Sequence, residues 1–280
     1  MSNLSNQAKH YDKNPSLYPW PKVLSKSKLD ITYKPREVFL NEEINNLGLN
    51  SKSKLLDIGC GTGIMTKRVS DQFDAKAIGV DISDESIEFA NKFYSNDKLS
   101  FKLGEANKIP YKNNSFDFII SLDVLEHIEN QKDVIFEISR LLKKKGKVLI
   151  YTLNKNDRYS LDWIWEKIGI DIYKRAMHKR SLFLDMNKLC NWMNDAGFIV
   201  TIKKYYGGFF GLLLDEIIMV NILILKKFGL FKFNKLGKVY LSFLNIISKV
   251  FYPLLNSLDY LWYINGYSLG ILVVAEKKTN

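Results

Sequence analysis

Between positions 54 and 154 the chain alternates two hydrophobic rhythms. Short apolar runs suited to buried strands are separated by stretches in which apolar side chains recur every three or four positions. The runs Leu55–Ile58, Ala77–Val80 and Leu99–Leu103 predict strands, and Met65–Phe73 and Glu85–Tyr94 predict the helices after the first two. Ser115–Ile128 supplies a fourth strand and the turn behind it. Asp133–Leu142 reads as a helix, Gly146 as a break and Lys147–Leu153 as strand five. Farther on, Asp185–Ala196 is a helix stopped by Gly197, Phe198–Tyr205 is strand six and Ser268–Glu276 is strand seven. A helix over Arg36–Leu49 precedes them all. Strand and helix alternating through short connections imply an α/β fold with a doubly wound parallel sheet.

Two stretches break this rhythm. His10–Pro21 is rich in proline and aromatic residues and cannot be a regular helix throughout. Phe209–Leu225 is almost continuously apolar, yet Asp215 and Glu216 interrupt it and it is short for a membrane span. Lys226, Lys227, Lys232, Lys235 and Lys238 follow. In Val239–Tyr263 the polar positions Ser242, Asn245, Ser248, Lys249, Asn256 and Asp259 form one narrow helical stripe, bent at Pro253, and leave a broad apolar face. Two environments suit such a segment. It packs on the sheet as a substrate cap, or it lies in a membrane interface with its lysines toward anionic head groups and Phe231, Phe233, Trp262 and Tyr263 at the boundary.

A chain of 280 residues that is 46% hydrophobic can bury one substantial core and carry an appendage. With only Cys60 and Cys190 there is no disulfide framework, which suits a reducing compartment. Met1–Asn14 lacks the apolar core of a signal peptide, so the cytoplasm is expected, with peripheral contact to the inner face of the membrane through 209–263. The net charge of +11 admits nucleic acid, an anionic surface or a phosphorylated substrate. Only six of the 41 basic residues are arginine, which points to a diffuse field rather than base readout. With no aromatic-basic recognition motif, nucleic acid is not the expected partner.

The candidate chemistry starts at Lys54–Gly63, K-L-L-D-I-G-C-G-T-G. Glycines there let the backbone turn sharply and bring amide N–H groups and a helix N-terminus close to a ligand. A dinucleotide fingerprint starting at Gly59 requires its third glycine at position 64, which is Ile64. The observed G-x-G-x-G preceded by Asp57 resembles motif I of the class I S-adenosylmethionine-dependent methyltransferases. The resemblance runs over Lys54–Asn154 and implies a seven-stranded Rossmann-like sheet whose last strand inserts antiparallel beside strand six. It also implies a cofactor site at Asp57, Gly59, Cys60, Gly61 and Gly63. Asp81 lies twenty residues beyond Gly61 at the tip of strand two, where a carboxylate can accept both ribose hydroxyl protons, with Ile82 beside it. Capping the next helix is the structural alternative for Asp81, although Ser83 or Asp84 suits that role better. By family position Glu105 and Ala106 lie near the adenine amino group, and the segment ahead of motif I closes as a lid, with Tyr11, Tyr18 and Trp20 as its candidates. The chain then divides into an N-terminal lid and first helix (1–50), a methyltransferase core (51–206), a hydrophobic helical insertion (207–266), and the last strand with its tail (267–280).

The run Asp123-Val124-Leu125-Glu126-His127 resembles the turn after strand four in quinone-biosynthesis O-methyltransferases and small-RNA 2′-O-methyltransferases. Those enzymes use two acids, this histidine and a later one to hold a divalent metal. Here the set would be Asp123, Glu126, His127 and His178, with Asp123 one methylene shorter than the family's glutamate. The same turn occurs in methyltransferases without metals, where Glu126 and His127 settle the turn and Asp123 borders the cofactor pocket. His127 is then the candidate general base, since imidazole titrates near operating pH. The expected reaction is S-adenosylmethionine-dependent O-methylation of a small-molecule, lipid-linked or amphiphilic acceptor. The alternatives are a soluble enzyme acting on a metabolite or a surface-polysaccharide sugar with the insertion as its cap, a nucleic-acid methyltransferase, and a non-catalytic cofactor-binding assembly factor.

Overall fold

The apolar runs assemble into one seven-stranded sheet in the order β3-β2-β1-β4-β5-β7-β6. Its strands are β1 (Lys54–Ile58), β2 (Lys76–Asp81), β3 (Leu99–Leu103), β4 (Phe116–Leu122), β5 (Leu142–Leu153), β6 (Phe198–Tyr206) and β7 (Gly270–Lys277). The first five run parallel, and β7 lies antiparallel between β5 and β6. The computed structural model describes residues 35–169, 178–214 and 254–279, together with Ile217, Val239, Tyr240, Phe243, Ile246, Val250 and Phe251. The lid candidates Tyr11, Tyr18 and Trp20, the lysines of 226–238, and Phe231 and Phe233 lie outside the described residues.

The helices described from end to end include α1 (Pro35–Asn45), α2 (Ile64–Phe73), α3 (Asp84–Tyr94), α4 (Gln131–Leu141), α5 (Leu161–Lys167), α6 (Met186–Asp195) and the short α7 (Tyr260–Tyr263). They cover both faces of the sheet, which is why its central strands read as apolar runs rather than alternating ones. On one face Leu56, Ile58, Val148 and Ile150 pack with Val134 and Ile138 of α4 and Leu189 of α6. On the other, Leu55 and Leu149 pack with Leu40 and Ile44 of α1, Val69 of α2 and Ala90 of α3. Side chains one residue apart in β1 and β5 thus serve opposite layers. Local signals set the helix starts. Ser83 accepts from the Ser86 amide at 3.2 Å to cap α3, and Asp185 accepts from the Lys188 amide at 2.8 Å to cap α6.

Two boundaries differ from the sequence expectation. Gly146 is no break: β5 starts at Leu142, pairs with Phe116, shifts register and continues through Gly146. A Cβ on Gly146 would come within 2.9 Å of the carbonyl oxygens of Asp117 and Lys143, so glycine marks a close backbone approach there. The first helix ends at Asn45, and Gly48 follows with φ +90°.

Residues 207–269 separate β6 from β7, and both ends of this excursion are clamped at its base. Leu269 donates its amide to the Gly207 carbonyl at 2.8 Å. The fully buried Asp259 accepts the amides of Phe210 at 2.9 Å and Gly211 at 2.8 Å, capping the helical residues 209–214 from the far end of the insertion. Tyr263 Oη accepts from the Gly208 amide at 3.2 Å and donates to Asn256 at 2.9 Å. Because closure cost grows slowly with loop length, this clasp lets β6 and β7 pair as they would through a short hairpin. Replacing Asp259 by alanine leaves two buried amides without their acceptor and lowers unfolding free energy by about 1–3 kcal/mol, read as a fall in the urea midpoint at unchanged slope.

Candidate active site

All the parallel strands deliver their C-terminal ends to one edge of the sheet, and chain order reverses between β1 and β4. That reversal leaves a crevice at the strand tips, where doubly wound sheets bind ligands. The loop Gly59–Gly63 between β1 and α2 forms its floor. Gly59, Gly61 and Gly63 have φ of +73°, +52° and +80°, for different reasons. A Cβ on Gly59 would lie 2.2 Å from Val124 Cγ2 and one on Gly63 would lie 2.5 Å from Phe101 Cε1, so both are glycine for internal packing. At Gly61 a Cβ would meet nothing within 4 Å among the described residues: of the three glycines, this is the one that faces open space.

Asp81 joins this loop to the next. Its carboxylate accepts the Gly61 amide at 2.7 Å and the Ser83 amide at 2.9 Å, and Ser83 rather than Asp81 caps α3. Behind the loop, buried Asp57 accepts from Thr66 Oγ1 at 2.6 Å and so ties β1 to the first turns of α2. Burial pushes the Asp57 carboxyl up to about 7, with the Thr66 hydroxyl opposing and Asp81 adding to the rise. Cys60 is half-buried, and burial raises its thiol well above the usual range. Ile82 is half-buried beside Asp81. Glu105 is exposed and bridges to Lys108 in the turn after β3, while Ala106 packs against the core. The structure thus gathers Gly59, Gly61, Gly63, Asp81 and Ile82 at one edge, with Asp57 as their support.

A second cluster occupies the tips of β4 and β5. Asp123, in the left-handed region at φ +57°, takes a forked ion pair from Arg36 of α1 at 2.8 and 3.1 Å. The Arg36 guanidinium also lies 5.6 Å from the centroid of the Tyr151 ring. Glu126 is fully buried in the turn Leu125–His127; one oxygen accepts from Thr152 Oγ1 at 2.8 Å, and the other, Oε1, has no hydrogen-bond partner among the described residues. Burial raises the Glu126 pKa, Asp123 adds to the rise, and the Thr152 hydroxyl and Arg36 oppose it. The rings of His127 and His178 lie 4.6 Å apart. Burial lowers the His178 pKa.

The metal expectation can be set against this geometry. One ligand atom each of Glu126, His127 and His178 lies within 4.8 Å of the others, and Glu126 also carries the oxygen without a hydrogen-bond partner among the described residues. These three residues fit a divalent ion. Asp123, the fourth residue of the expected set, is not in that group and is paired with Arg36. Sequence reasoning missed Arg36, Tyr151, Thr152 and Thr66 as members of the site. Arg36 carried only the faint signal of being one of six arginines, and the others read as ordinary strand or helix positions.

A profile of the methyltransferase domain family matches residues 56–150. The chain is 34% identical over 146 residues to the ubiquinone biosynthesis O-methyltransferase of Pelagibacter ubique, covering 44% of this chain and 60% of that protein. It is 33% identical over 120 residues to the sterol 4-C-methyltransferase strm-1 of Caenorhabditis elegans, covering 41% of this chain and 36% of that one. The matches therefore span between about a third and two thirds of these curated relatives. The fold is similar to phosphoethanolamine N-methyltransferase 2 of Haemonchus contortus, solved in complex with S-adenosyl-L-methionine, at TM-score 0.59 and 18% identity over 86% of this chain and 53% of that one. Strand order and sequence relatives point the same way: residues 56–150 are similar to the methyltransferase domain family, and the seven-stranded sheet has the fold of a methyltransferase solved with S-adenosyl-L-methionine.

Proposed function

We propose that this protein methylates an oxygen of a lipid-linked or amphiphilic acceptor at the expense of S-adenosylmethionine, on the cytoplasmic side of a membrane. The observation that carries the reading is the Asp81 carboxylate, fixed at the strand tips by the Gly61 and Ser83 amides and set beside the open face of Gly61. The names of its relatives support the acceptor class, since ubiquinone biosynthesis and sterol methylation both concern lipids.

When bound, S-adenosylmethionine supplies an electrophilic methyl group on a sulfonium, transferred in line as the S–C bond breaks and the C–O bond forms. The chain's part is to orient and to move one proton. Asp81 would hold the ribose hydroxyls, and the Gly59–Gly63 loop would let the donor approach the backbone. His127 takes the acceptor hydroxyl proton, with the His178 ring 4.6 Å from its own. Glu126, protonated by its burial, braces the turn through Thr152, and Arg36 neutralises Asp123 at the acceptor wall.

A second reading follows from the Glu126, His127 and His178 group: the three hold a divalent cation that polarises the acceptor oxygen. The two readings part at His178. With labelled methyl donor and fractionated cell extract, His127→Ala lowers transfer to the acceptor by about a hundredfold or more under either reading. His178→Ala does the same only if the three bind a cation; a nearly unchanged rate leaves His127 as a metal-free base, and an active His127→Ala protein overturns both.

Asp81→Ala should weaken S-adenosylhomocysteine binding in calorimetry by about ten- to a hundredfold, the worth of hydrogen bonds to a charged group. Unchanged affinity would sink the cofactor assignment. Glu126 gives a pH signature. The folded protein holds its proton more tightly than the unfolded chain, so its stabilisation is complete below the ordinary carboxylate value of 4.5 and is lost as pH rises through the raised pKa. Glu126→Gln removes that loss, so its melting temperature should gain on the wild type steadily from pH 5 toward neutrality and above; parallel profiles would show that Glu126 ionises freely.

A further inference from the structure

The last turns of the insertion are inside out. A surface helix ordinarily turns its apolar stripe inward and its polar stripe to water. Here Val239, Phe243, Ile246, Val250, Leu254 and Leu261 are 56–65% exposed, while Asp259 is fully buried. Their spacing of four, three, four, four and seven residues is the spacing of a single helical face, and the half-exposed Leu258 falls between the last two in sequence. Among the described residues of 239–261, exposed apolar side chains thus recur from one end to the other, far beyond the scattered single exposures that any surface carries. Its inner side is committed to the clasp formed by Asp259 and Tyr263 at the base of the insertion.

We propose that this face docks the protein on an anionic lipid surface, lying in the plane of the interface rather than crossing it. Charge selects this occupant. The chain carries +11, and residues 226–238, directly ahead of the stripe in sequence, contain five lysines and no acid. Such a field draws the stripe to anionic head groups and repels a second copy of equal charge. Aromatic residues punctuate the face in the manner of an interfacial helix: Phe243, Phe251 and Tyr260 are all half-exposed or more. Among the described residues, no helix is long and apolar enough to span a bilayer. Docking this way brings a lipid-linked acceptor to the enzyme within the membrane plane. The inference goes beyond the proposed reaction, and its test reads lipid binding alone, so either can fail without the other.

The test is flotation of the full chain with vesicles of phosphatidylcholine and of phosphatidylcholine mixed with phosphatidylglycerol. The wild type should float with the anionic vesicles and be partly released at about 0.5 M salt, where the Debye length contracts to a few ångströms. Combined Val250→Glu, Leu254→Glu and Leu261→Glu substitutions, all at exposed positions, should lower the vesicle-bound fraction by about a hundredfold while the circular dichroism spectrum and melting temperature stay put. Wild-type protein left unbound by anionic vesicles at low salt would overturn the proposal, as would a triple variant that floats like the wild type. So would a stable dimer of the wild type that the triple variant abolishes, since a second copy would then cover the stripe.

Discussion

Two backbone amides from separate loops converge on one carboxylate, and the ligand end of the molecule depends on that convergence. Gly61 and Ser83 belong to the connections after β1 and β2, and the Asp81 side chain binds them in a single arrangement. Without a shared acceptor, two adjacent loops would move independently, and a cofactor that contacts both would have to fix their relative position as it bound. The convergence is possible because β1 and β2 pair in parallel register, Ile58 against Val80, so that their tips end side by side. The Asp57–Thr66 bond performs the same service one layer deeper, holding α2 against the strand that feeds the loop.

The opposite wall of the crevice follows a different logic. Asp123, Glu126, Arg36 and two histidines crowd the tips of β4 and β5, where their charges cannot all persist without water. The structure resolves the crowding by pairing Asp123 with a forked guanidinium and by burying Glu126 so deeply that it favours its protonated form. A neutral acid, a compensated acid and an imidazole pair leave this wall with little net charge. Helix α1 contributes the guanidinium, so the first helix ahead of the sheet is part of this cluster.

The insertion between β6 and β7 adds a second kind of surface to this scaffold. Its base is polar and clasped, with Asp259 spent on the amides of Phe210 and Gly211; its outward face is apolar. An arrangement of this sort stabilises the antiparallel hairpin while leaving the excursion's exposed side to be satisfied by something other than the sheet.

The sequence alone determined the alternation of strands and helices, the glycine loop, and the acid at the strand tip twenty residues beyond Gly61, because each is written in local spacing: strand period, cap residue, turn residue. It also marked Gly146 as special without telling a break from a close backbone approach, since both call for glycine. Tertiary structure decided what depends on distant partners. Only the fold brings Arg36 to Asp123, places Tyr151 beneath that guanidinium, and leaves Glu126 with one buried oxygen unmatched. Only the fold shows that Gly59 and Gly63 are glycine for packing against Val124 and Phe101 while Gly61 faces the open crevice. The periodicity of 239–263 was plain in the sequence, but periodicity assigns residues to faces without saying which face turns outward. Burial of Asp259 settled that, because a carboxylate must be satisfied by specific amides and those amides lie at the far end of the insertion.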